Sequence, residues 1–253
     1  MPQDNSLAGL EFRQIRCRIE GRVVLDGLDF EVRPGETMVL LGRSGSGKTT
    51  ALRLINRMIE PSGGVIRIGG QDIAPMDPVA LRRCIGYVIQ DFGLLPHWNV
   101  VENVALVPRL LGWPPEKRQQ RARELLDQVG LSSGEMALRY PNQLSGGQRQ
   151  RVGVARALAA EPMLLLFDEP FGALDPITRH EMQQMFVAVR TRFGGASVFV
   201  THDLVEALCI GTRIAVLEHG KLEGVFTPQD FLKAETPVAK AFLQTLPRGI
   251  ASV

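Results

Sequence analysis

The sequence lacks a hydrophobic run long enough to cross a membrane. Its longest unbroken apolar stretches are about five residues, such as Met163 to Phe167, whereas a membrane-spanning helix needs about 20. The opening residues, MPQDNSLAGLEF, contain no basic segment followed by an apolar one, so a secretory signal is not expected. These absences predict a protein that neither spans a membrane nor is secreted.

Cysteine is scarce, and charge of one sign is not in excess. The three cysteines, Cys17, Cys84 and Cys209, are odd in number and widely spaced. This predicts reduced structural thiols of a cytosolic protein rather than a disulfide framework or a metal site. The formal net charge of +2 is too small to favour a nucleic-acid partner. With 22% charged and 45% hydrophobic residues, the composition is that of a globular protein.

What the sequence does contain is a glycine-rich stretch, GRSGSGKTT, at residues 42–50. An apolar run, Met38 to Leu41, precedes it, and the apolar residues that follow recur at helical spacing. This order of strand, turn and helix is the setting in which Gly-x-x-x-x-Gly-Lys-Thr forms a phosphate-binding loop. The candidate nucleotide-binding residues are therefore Gly42, Arg43, Ser44, Gly45, Ser46, Gly47, Lys48, Thr49 and Thr50.

Each residue type in this phosphate loop has a chemical reason to be there. Gly45 and Gly47 lack a Cβ, so the backbone can curl and aim its N–H groups at phosphate oxygens. The N-terminal end of the following helix adds positive potential. Lys48 can reach the β- and γ-phosphates, and the Thr49 hydroxyl suits Mg²⁺. The alternative interpretation is a flexible Gly/Ser turn.

The rest of the chain predicts an α/β fold. Alternating residues over 10–19 and 28–32 predict antiparallel strands in the N-terminal part. Short, continuously apolar runs such as 163–167 and 196–200 predict buried strands of a mainly parallel sheet. Positions 91–160 predict a mostly helical insertion between two pieces of this α/β core.

Residues 144–148 read LSGGQ and lead into a segment with helical character. Ser145 can cap a helix over 148–160. Two glycines at the start of a helix leave its N–H groups open to an anion. Taken by itself, the stretch is most simply an ordinary glycine-rich helix start.

Two adjacent carboxylates, Asp168 and Glu169, follow the apolar run 163–167. In an open α/β sheet, ligands bind outside the carboxyl ends of the strands. Carboxylates at that place suit two jobs, one directed to Mg²⁺ and the other to an attacking water. The alternative is a capping pair before Pro170.

Two further polar residues stand next to predicted elements. Asp175 is suited to cap a helix that has Pro176 in its first turn. His202 follows the run 196–200, at the carboxyl end of a predicted strand. A single histidine is often a structural residue, so a structural and a functional role both stay open at this point.

Taken together and in this order, these elements resemble the ATP-binding subunit of ABC transporters. The resemblance covers nearly the whole chain and implies a single ATPase domain over 10–243, with a helical signature subdomain at 91–160 and a tail at 244–253. The implied fold is a P-loop NTPase core of mainly parallel sheet with an N-terminal antiparallel β subdomain. The motifs that carry the resemblance are the phosphate loop, Gln90 of the glutamine loop, LSGGQ at 144–148, Asp168-Glu169, Ala173-Leu174-Asp175 and the switch residue His202.

A finer resemblance points to importers of osmoprotectants such as glycine betaine, choline, carnitine and proline. It rests on LRLINRMIEPSGG, LRRCIGYVIQDFGLLPH, VPRLLGW and RYPNQLSGGQRQRVGVARALAAEP. Many such subunits continue into a pair of C-terminal CBS domains. The sequence ends at Val253, so regulation through those domains is not expected.

The resemblance implies ATP and Mg²⁺ as cofactors and a site shared between two copies of the chain. ATP would lie between the phosphate loop of one subunit and the LSGGQ signature of the other. The implied roles are catalysis by Glu169, His202 and Gln90, Mg²⁺ binding by Thr49, Gln90 and Asp168, contact across the dimer by Ser145, Gly146, Gly147 and Gln148, and relay between subunits by Asp175.

The adenine contact departs from the family pattern. Family members place an aromatic residue shortly before the strand that contains Leu28, where it stacks on the base. Alignment with that pattern puts Ile19 at the aromatic position, with Arg18 beside it. Ile19 is therefore the candidate adenine contact, through apolar contact only, and the alternative is that another residue covers the base.

The resemblance also implies partners and a location. A second ATP-binding subunit, integral permease subunits and, indirectly, an extracytoplasmic binding protein are expected, with the chain cytoplasmic and peripheral on the inner face of the membrane. Alternatives are an importer ATPase for another solute such as an amino acid, a soluble ABC ATPase acting on nucleic acid or ribosomes, and a regulatory module that hydrolyses nothing. Glu169 and His202 argue against the last.

Overall fold

The fold is described from a computed structural model for residues 8–90, 93–172 and 174–246. The strands within those residues are β1 Leu10–Ile19, β2 Arg22–Val32, β3 Thr37–Leu41, β4 Gly63–Ile68, β5 Gln71–Asp72, β6 Ile85–Val88, β7 Leu164–Asp168, β8 Ala196–Thr201, β9 Arg213–Glu218 and β10 Lys221–Phe226.

The helices are short except for those that surround the signature sequence. They are α1 Lys48–Ile55, α2 Pro78–Arg83, α3 Val100–Val104, α4 Leu106–Leu110, α5 Pro115–Gln128, α6 Ser133–Met136, α7 Gly146–Leu158, α8 Pro176–Phe193, α9 Leu204–Ile210, α10 Pro228–Phe231 and α11 Pro237–Leu243. None of the helices in the described ranges is long and apolar enough to cross a membrane.

The described residues divide into two compact units. The phosphate-loop unit comprises 8–78 and 194–246, and the helical unit comprises 79–193. The predicted domain over 10–243, its insertion at 91–160 and its tail at 244–253 stay predictions. Ala173, which belongs to the predicted relay turn, and the tail from 247 onward lie outside the described residues.

The phosphate-loop unit contains two sets of strands. The antiparallel set has the order β2-β1-β4-β5, and the stacked rings of Phe12 and Phe30, with centroids 4.5 Å apart, lie in its buried face. In the other set β3 pairs in parallel with β8 and β9, while β10 pairs antiparallel with β9. All five residues of β3 are buried, as expected for a strand covered on both faces.

The helical unit contains two parallel strands and the helices that pack on them. β6 pairs with β7, so that Val88 lies opposite Phe167. Helix α7 packs against β6, α3 and α5, and Gly86 allows this close approach because a Cβ there would lie 2.4 Å from the Ala157 carbonyl oxygen.

The segment 100–111 lies within the predicted helical insertion but is not one continuous helix. It is two helices, α3 and α4, with Ala105 between them. Pro108 has no N–H to donate to Val104, so a continuous hydrogen-bonded helix cannot pass this point. After the phosphate loop, α1 ends at Ile55, and Met58 beyond it is 54% exposed.

Candidate nucleotide-binding site

The phosphate loop leaves the buried strand β3 and enters α1 at Lys48, as the sequence predicts. Gly45 and Gly47 have φ angles of 79° and 102°, in the left-handed region that favours glycine. A Cβ on Gly47 would lie 2.5 Å from Leu25 Cδ2 and 3.2 Å from the Val24 carbonyl oxygen. Gly47 is therefore required both for its backbone conformation and for the space it leaves.

The loop encloses a buried positive charge. Lys48 is only 4% exposed, and its Nζ donates to the carbonyl oxygens of Gly42 at 2.7 Å and Arg43 at 2.9 Å. The Ser46 hydroxyl is also buried and has no hydrogen-bond partner among the described residues. A buried ammonium and a buried hydroxyl without a hydrogen-bond partner among the described residues, both in one loop, suit an anion with several oxygen acceptors.

His202 leaves the sheet at the same edge as the phosphate loop. In the parallel pairing of β3 and β8, Leu41 lies opposite Thr201. Gly42 and His202 are the next residues on the two neighbouring strands, so both lie at the carboxyl edge, where α/β sheets bind ligands. The His202 side chain is exposed, which is compatible with contact to a ligand at this edge.

The backbone around His202 is fixed by hydrogen bonds of the neighbouring Thr201, which the sequence did not predict; we call them the Thr201 clamp. Thr201 Oγ1 donates to Glu206 Oε2 at 2.6 Å and accepts the Asp203 N–H at 3.0 Å. Asp203 in turn caps α9 by accepting the N–H groups of Val205 and Glu206. Thr201 and Glu206 are both buried. The sequence feature that could have indicated this contact is Asp203, a residue type typical of a helix N-cap.

In the helical unit, Gln90 and Asp168 follow the paired ends of β6 and β7. Gln90 is an exposed turn residue. Asp168 is partly buried and its Oδ2 accepts the Tyr87 hydroxyl at 3.2 Å. The structure therefore brings the amide and the carboxylate to one edge and adds Tyr87, which no local sequence pattern marks as a site residue.

Glu169 has a backbone conformation that is rare for a residue with a side chain. Its φ is 44°, in the left-handed region, which costs roughly 1–2 kcal/mol for an L-residue. Its carbonyl oxygen accepts the Gly172 N–H at 3.3 Å, which belongs to the turn after β7. Strained backbone of this kind persists where the surroundings fix it and is concentrated at functional sites.

The LSGGQ signature and the predicted relay residue lie next to each other. Ser145 caps α7 by accepting the Gln148 N–H, and the Gln148 side chain accepts the Ser145 N–H. Asp175 caps α8 by accepting the N–H groups of Ile177 and Thr178. A Cβ on Gly147 would lie 2.5 Å from Thr178 Cγ2, so the starts of the two helices are in contact.

Hydrogen bonds also affect the ionisation of Asp175, the predicted relay residue. The Thr178 side chain and N–H hold the pKa of Asp175 below its ordinary value because they stabilise the carboxylate form. Asp175 is exposed, and these hydrogen bonds stabilise further a carboxylate that solvent already keeps charged at neutral pH.

Ile19 ends β1, where it pairs with Arg22 on β2. Its side chain is 41% exposed. Arg18 beside it is exposed as well. Both side chains are accessible to a ligand, and the adenine contact assigned to Ile19 stays a prediction.

The donors proposed for Mg²⁺ are a hydroxyl, an amide and one carboxylate. Oxygen ligands of this kind suit Mg²⁺, which is commonly held by one or two carboxylates together with substrate phosphates. Within 8–90, 93–172 and 174–246 no cluster of three or more His, Cys, Asp or Glu side chains could hold a metal. That Thr49, Gln90 and Asp168 hold Mg²⁺ stays a prediction.

Comparison with known proteins decides the family. The sequence model of the family described as ABC transporter matches residues 25–172, more than half of the chain. The chain belongs to the ABC transporter family. The family and the fold class predicted from the sequence are thereby confirmed.

Individual members of the ABC transporter family agree with this assignment. The chain is 51% identical over 213 residues to the glycine betaine/carnitine/choline transport ATP-binding protein OpuCA of Bacillus subtilis, covering 84% of this chain and 56% of OpuCA. It is 45% identical over 213 residues to the glycine betaine uptake system ATP-binding protein YehX of Escherichia coli, covering 84% of this chain and 69% of YehX. The chain spans little more than half the length of several curated relatives it matches.

A solved structure gives the same fold. The dimeric post-hydrolysis state of the ATP-binding cassette MJ0796, bound to ADP and phosphate, matches with a TM-score of 0.75 and 33% identity. The match covers 87% of this chain and 98% of that chain. The fold of this ABC family member is therefore that of an ATP-binding cassette.

Thr201→Val is expected to lower the free energy of unfolding by about 1–3 kcal/mol, because Glu206 loses a buried donor and the Asp203 N–H loses its acceptor. Thr201→Ser keeps the hydroxyl and should cost only about 0.8 kcal/mol for the lost methyl group. Urea denaturation followed by circular dichroism measures both. Equal stability of Thr201→Val and the wild type would show that the clamp contributes nothing.

Proposed function

We propose that this chain is the ATP-hydrolysing subunit of an importer for quaternary-amine osmoprotectants such as glycine betaine, choline or carnitine. The observation that carries the proposal is the 45–51% identity to ATP-binding proteins named for the transport of these solutes. The motifs of an ATPase site support it. The solute itself is selected by other subunits, so the solute class rests on the relatives alone.

The proposed partners follow from the same observation. Two copies of the chain form the ATPase, integral permease subunits carry the solute, and an extracytoplasmic binding protein acts indirectly. The location proposed is cytoplasmic and peripheral on the inner face of the membrane. A nucleic-acid partner is not proposed, since the formal net charge is only +2.

Binding of ATP is assigned to the phosphate loop. The N–H groups of the loop and the positive end of α1 face the phosphates, and the buried Lys48 supplies a full positive charge to the β- and γ-phosphates. Thr49, Gln90 and Asp168 are proposed to hold Mg²⁺, which would neutralise developing phosphate charge when bound. Tyr87 positions Asp168 through its hydrogen bond.

Hydrolysis is assigned to Glu169, His202 and Gln90. Glu169 polarises the attacking water by accepting a proton from it, since a carboxylate that follows a strand at the ligand edge is placed to do so. His202 holds the γ-phosphate and the water in line, and Gln90 reports on the bound γ-phosphate. The hydrogen bonds of Thr201 to Glu206 and Asp203 fix the backbone that carries His202.

The second half of each site comes from the neighbouring subunit. Ser145, Gly146, Gly147 and Gln148 begin a 13-residue helix, and the N–H groups of its first turn are donors for a γ-phosphate on the far side. Asp175 lies beside this turn and carries the state of one site to the other. ATP closes the dimer, and hydrolysis opens it.

Glu169→Gln is expected to keep ATP binding but to lower ATP turnover by about 10²–10⁴-fold, because Gln cannot accept the proton of the water. The measurement is phosphate release and uptake of labelled glycine betaine by vesicles that contain this chain with the permease that co-isolates with it and a glycine betaine-binding protein. Glu161→Gln is the matched control. Glu161 also has a positive φ, of 52°, but it precedes β7, whereas Glu169 follows it. Near-normal turnover by Glu169→Gln would overturn the catalytic assignment, and no coupled uptake by the wild type would overturn the transport proposal.

The composite site predicts complementation between two inactive variants. Lys48→Ala removes the charge of the phosphate loop and Ser145→Arg blocks the signature, so each homodimer should be inactive. A mixed dimer contains one site without either defect, and part of the ATPase activity should return. The mixture should be read by phosphate release and by ATP-dependent dimerisation. Full-rate hydrolysis by a strictly monomeric wild type would contradict a shared site.

Ile19→Tyr is expected to tighten ATP binding by up to about tenfold, which corresponds to roughly 1.4 kcal/mol. Stacking of an aromatic ring on a base contributes roughly 1–3 kcal/mol in nucleic-acid systems, and an aliphatic side chain recovers only part of it. The wild type should discriminate poorly between ATP and GTP. Titration of both nucleotides measures this, with Val79→Tyr as a control at another half-exposed aliphatic residue. Unchanged ATP affinity and a strong wild-type preference for ATP would place the base elsewhere.

A further inference from the structure

The turn that joins β9 to β10 has two residues, and one of them is buried. The loop consists of His219 and Gly220, with φ angles of 46° and 76°, the pattern of a tight hairpin turn. His219 is exposed, whereas Gly220 is buried. Because hairpin tips normally lie in solvent, burial of Gly220 calls for a specific neighbour.

That neighbour is the phosphate loop, together with β2. The Gly220 N–H donates to the Ser46 carbonyl oxygen at 3.1 Å, and the Gly220 carbonyl oxygen accepts the Asp26 N–H at 2.9 Å. A Cβ on Gly220 would lie 2.2 Å from the Val24 carbonyl oxygen. Any side chain at this position would therefore displace either the turn or β2.

The contact extends along one side of the loop. A Cβ on Gly42 would lie 2.4 Å from the carbonyl oxygen of Leu217, in the strand that leads into the turn. On the other side, Gly47 packs against Val24 and Leu25 of β2. The loop backbone thus lies between β2 and the end of β9. It contacts both directly, because Gly42 and Gly47 have no side chain.

The hydrogen bond from Gly220 fixes the direction of one peptide group in the loop. In a planar trans peptide, the C=O and N–H groups point in opposite directions. Because the Ser46 carbonyl oxygen points to Gly220, the N–H of the next residue, Gly47, points away from the turn. The Gly47 N–H makes no hydrogen bond to the described residues, so it stays available to an anion in the loop.

We propose that Gly220 is a positioning residue for the phosphate loop. It holds the Ser46–Gly47 peptide so that the Gly47 N–H is presented to the nucleotide phosphates. The inference rests on the proposed function in one respect, namely that the loop binds a nucleotide. It adds to the site a residue of the β9–β10 turn, far from the loop in the sequence.

A pair of glycine substitutions tests the proposal. Gly220→Ala introduces the clash with Val24, whereas Gly70→Ala is placed at the same position of the β4–β5 turn, with a φ of 77° and nothing within 4 Å of its Cβ. Both variants carry the same left-handed strain. Gly220→Ala is expected to weaken binding of ADP with Mg²⁺ by about tenfold, as for loss of an oriented donor to a charged group, and Gly70→Ala to leave it unchanged.

Two further measurements separate positioning from general destabilisation. Gly220→Asn tolerates a positive φ better than Ala but keeps the clash, so it should weaken ADP binding equally, with Gly70→Asn as its control. In glycine-labelled protein, the Gly47 amide resonance should shift in the Gly220 variants and not in the Gly70 variants. Wild-type affinity and an unshifted Gly47 resonance in both Gly220 variants would overturn the proposal.

If the Gly220 variants do not fold, measurements on the wild-type chain still test the proposal. Its Gly220 amide should be protected from hydrogen exchange and should shift together with Gly47 when ADP is added. A Gly220 amide that exchanges freely would overturn the positioning role. Failure of the wild type to bind ADP would instead overturn the proposed function, while protection of the Gly220 amide would still report the contact with Ser46.

Discussion

The site depends on a close approach of backbone to backbone around the phosphate loop. At Gly42 and Gly47 a Cβ would lie within 2.5 Å of a neighbouring atom, a distance that real side chains do not reach. Gly220, in the turn that contacts the loop, has the same constraint. The loop therefore keeps its shape through packing and hydrogen bonds of main-chain atoms, which have little freedom to relax. An anion site built from N–H groups needs this rigidity, because its donors must already be aimed when the ligand arrives.

The same principle applies to three side chains proposed to act on ATP or on the second subunit. His202 and Ser145 have exposed side chains, but the backbone that carries them is fixed by the Thr201–Glu206 contact in one case and by a capping box in the other. Asp175 is likewise exposed and held by two N–H donors. Such residues can respond to a ligand or a second subunit while their position in the fold stays constant.

Charge is distributed between the units in a way that suits phosphate chemistry. The phosphate-loop unit carries the buried Lys48, and the helical unit carries Asp168 and Glu169 at the end of β7. Within each unit, these charged residues follow parallel strands at the carboxyl edge, where α/β sheets bind ligands. Gly93 also accepts a hydrogen bond from Arg156 of α7 at 2.5 Å, which links the segment after Gln90 to the signature helix.

Local features were predictable from the sequence because they depend on neighbours along the chain. Apolar runs and helical spacing predicted β3 and the start of α1 at Lys48, and the positions of Ser145 and Asp175 predicted their capping bonds. These interactions connect residues at most a few positions apart, where φ preference and side-chain hydrogen bonding decide the outcome. The break between α3 and α4 also has a local cause, the missing N–H of Pro108. The apolar pattern of this segment does not reveal it.

Tertiary structure alone decided which distant groups support the site. The contacts of Gly220 with Ser46 and of Tyr87 with Asp168 join residues from separate elements, so they depend on strand order and register rather than on sequence spacing. Nothing in the letters His219-Gly220 distinguishes this turn from the Gly69-Gly70 turn, which contacts far less. The sequence by itself determined the chemistry of the phosphate loop and of the carboxylates. The packing of β2 and β9 determined the orientation of the loop, because a peptide plane is set by the partner of its carbonyl group.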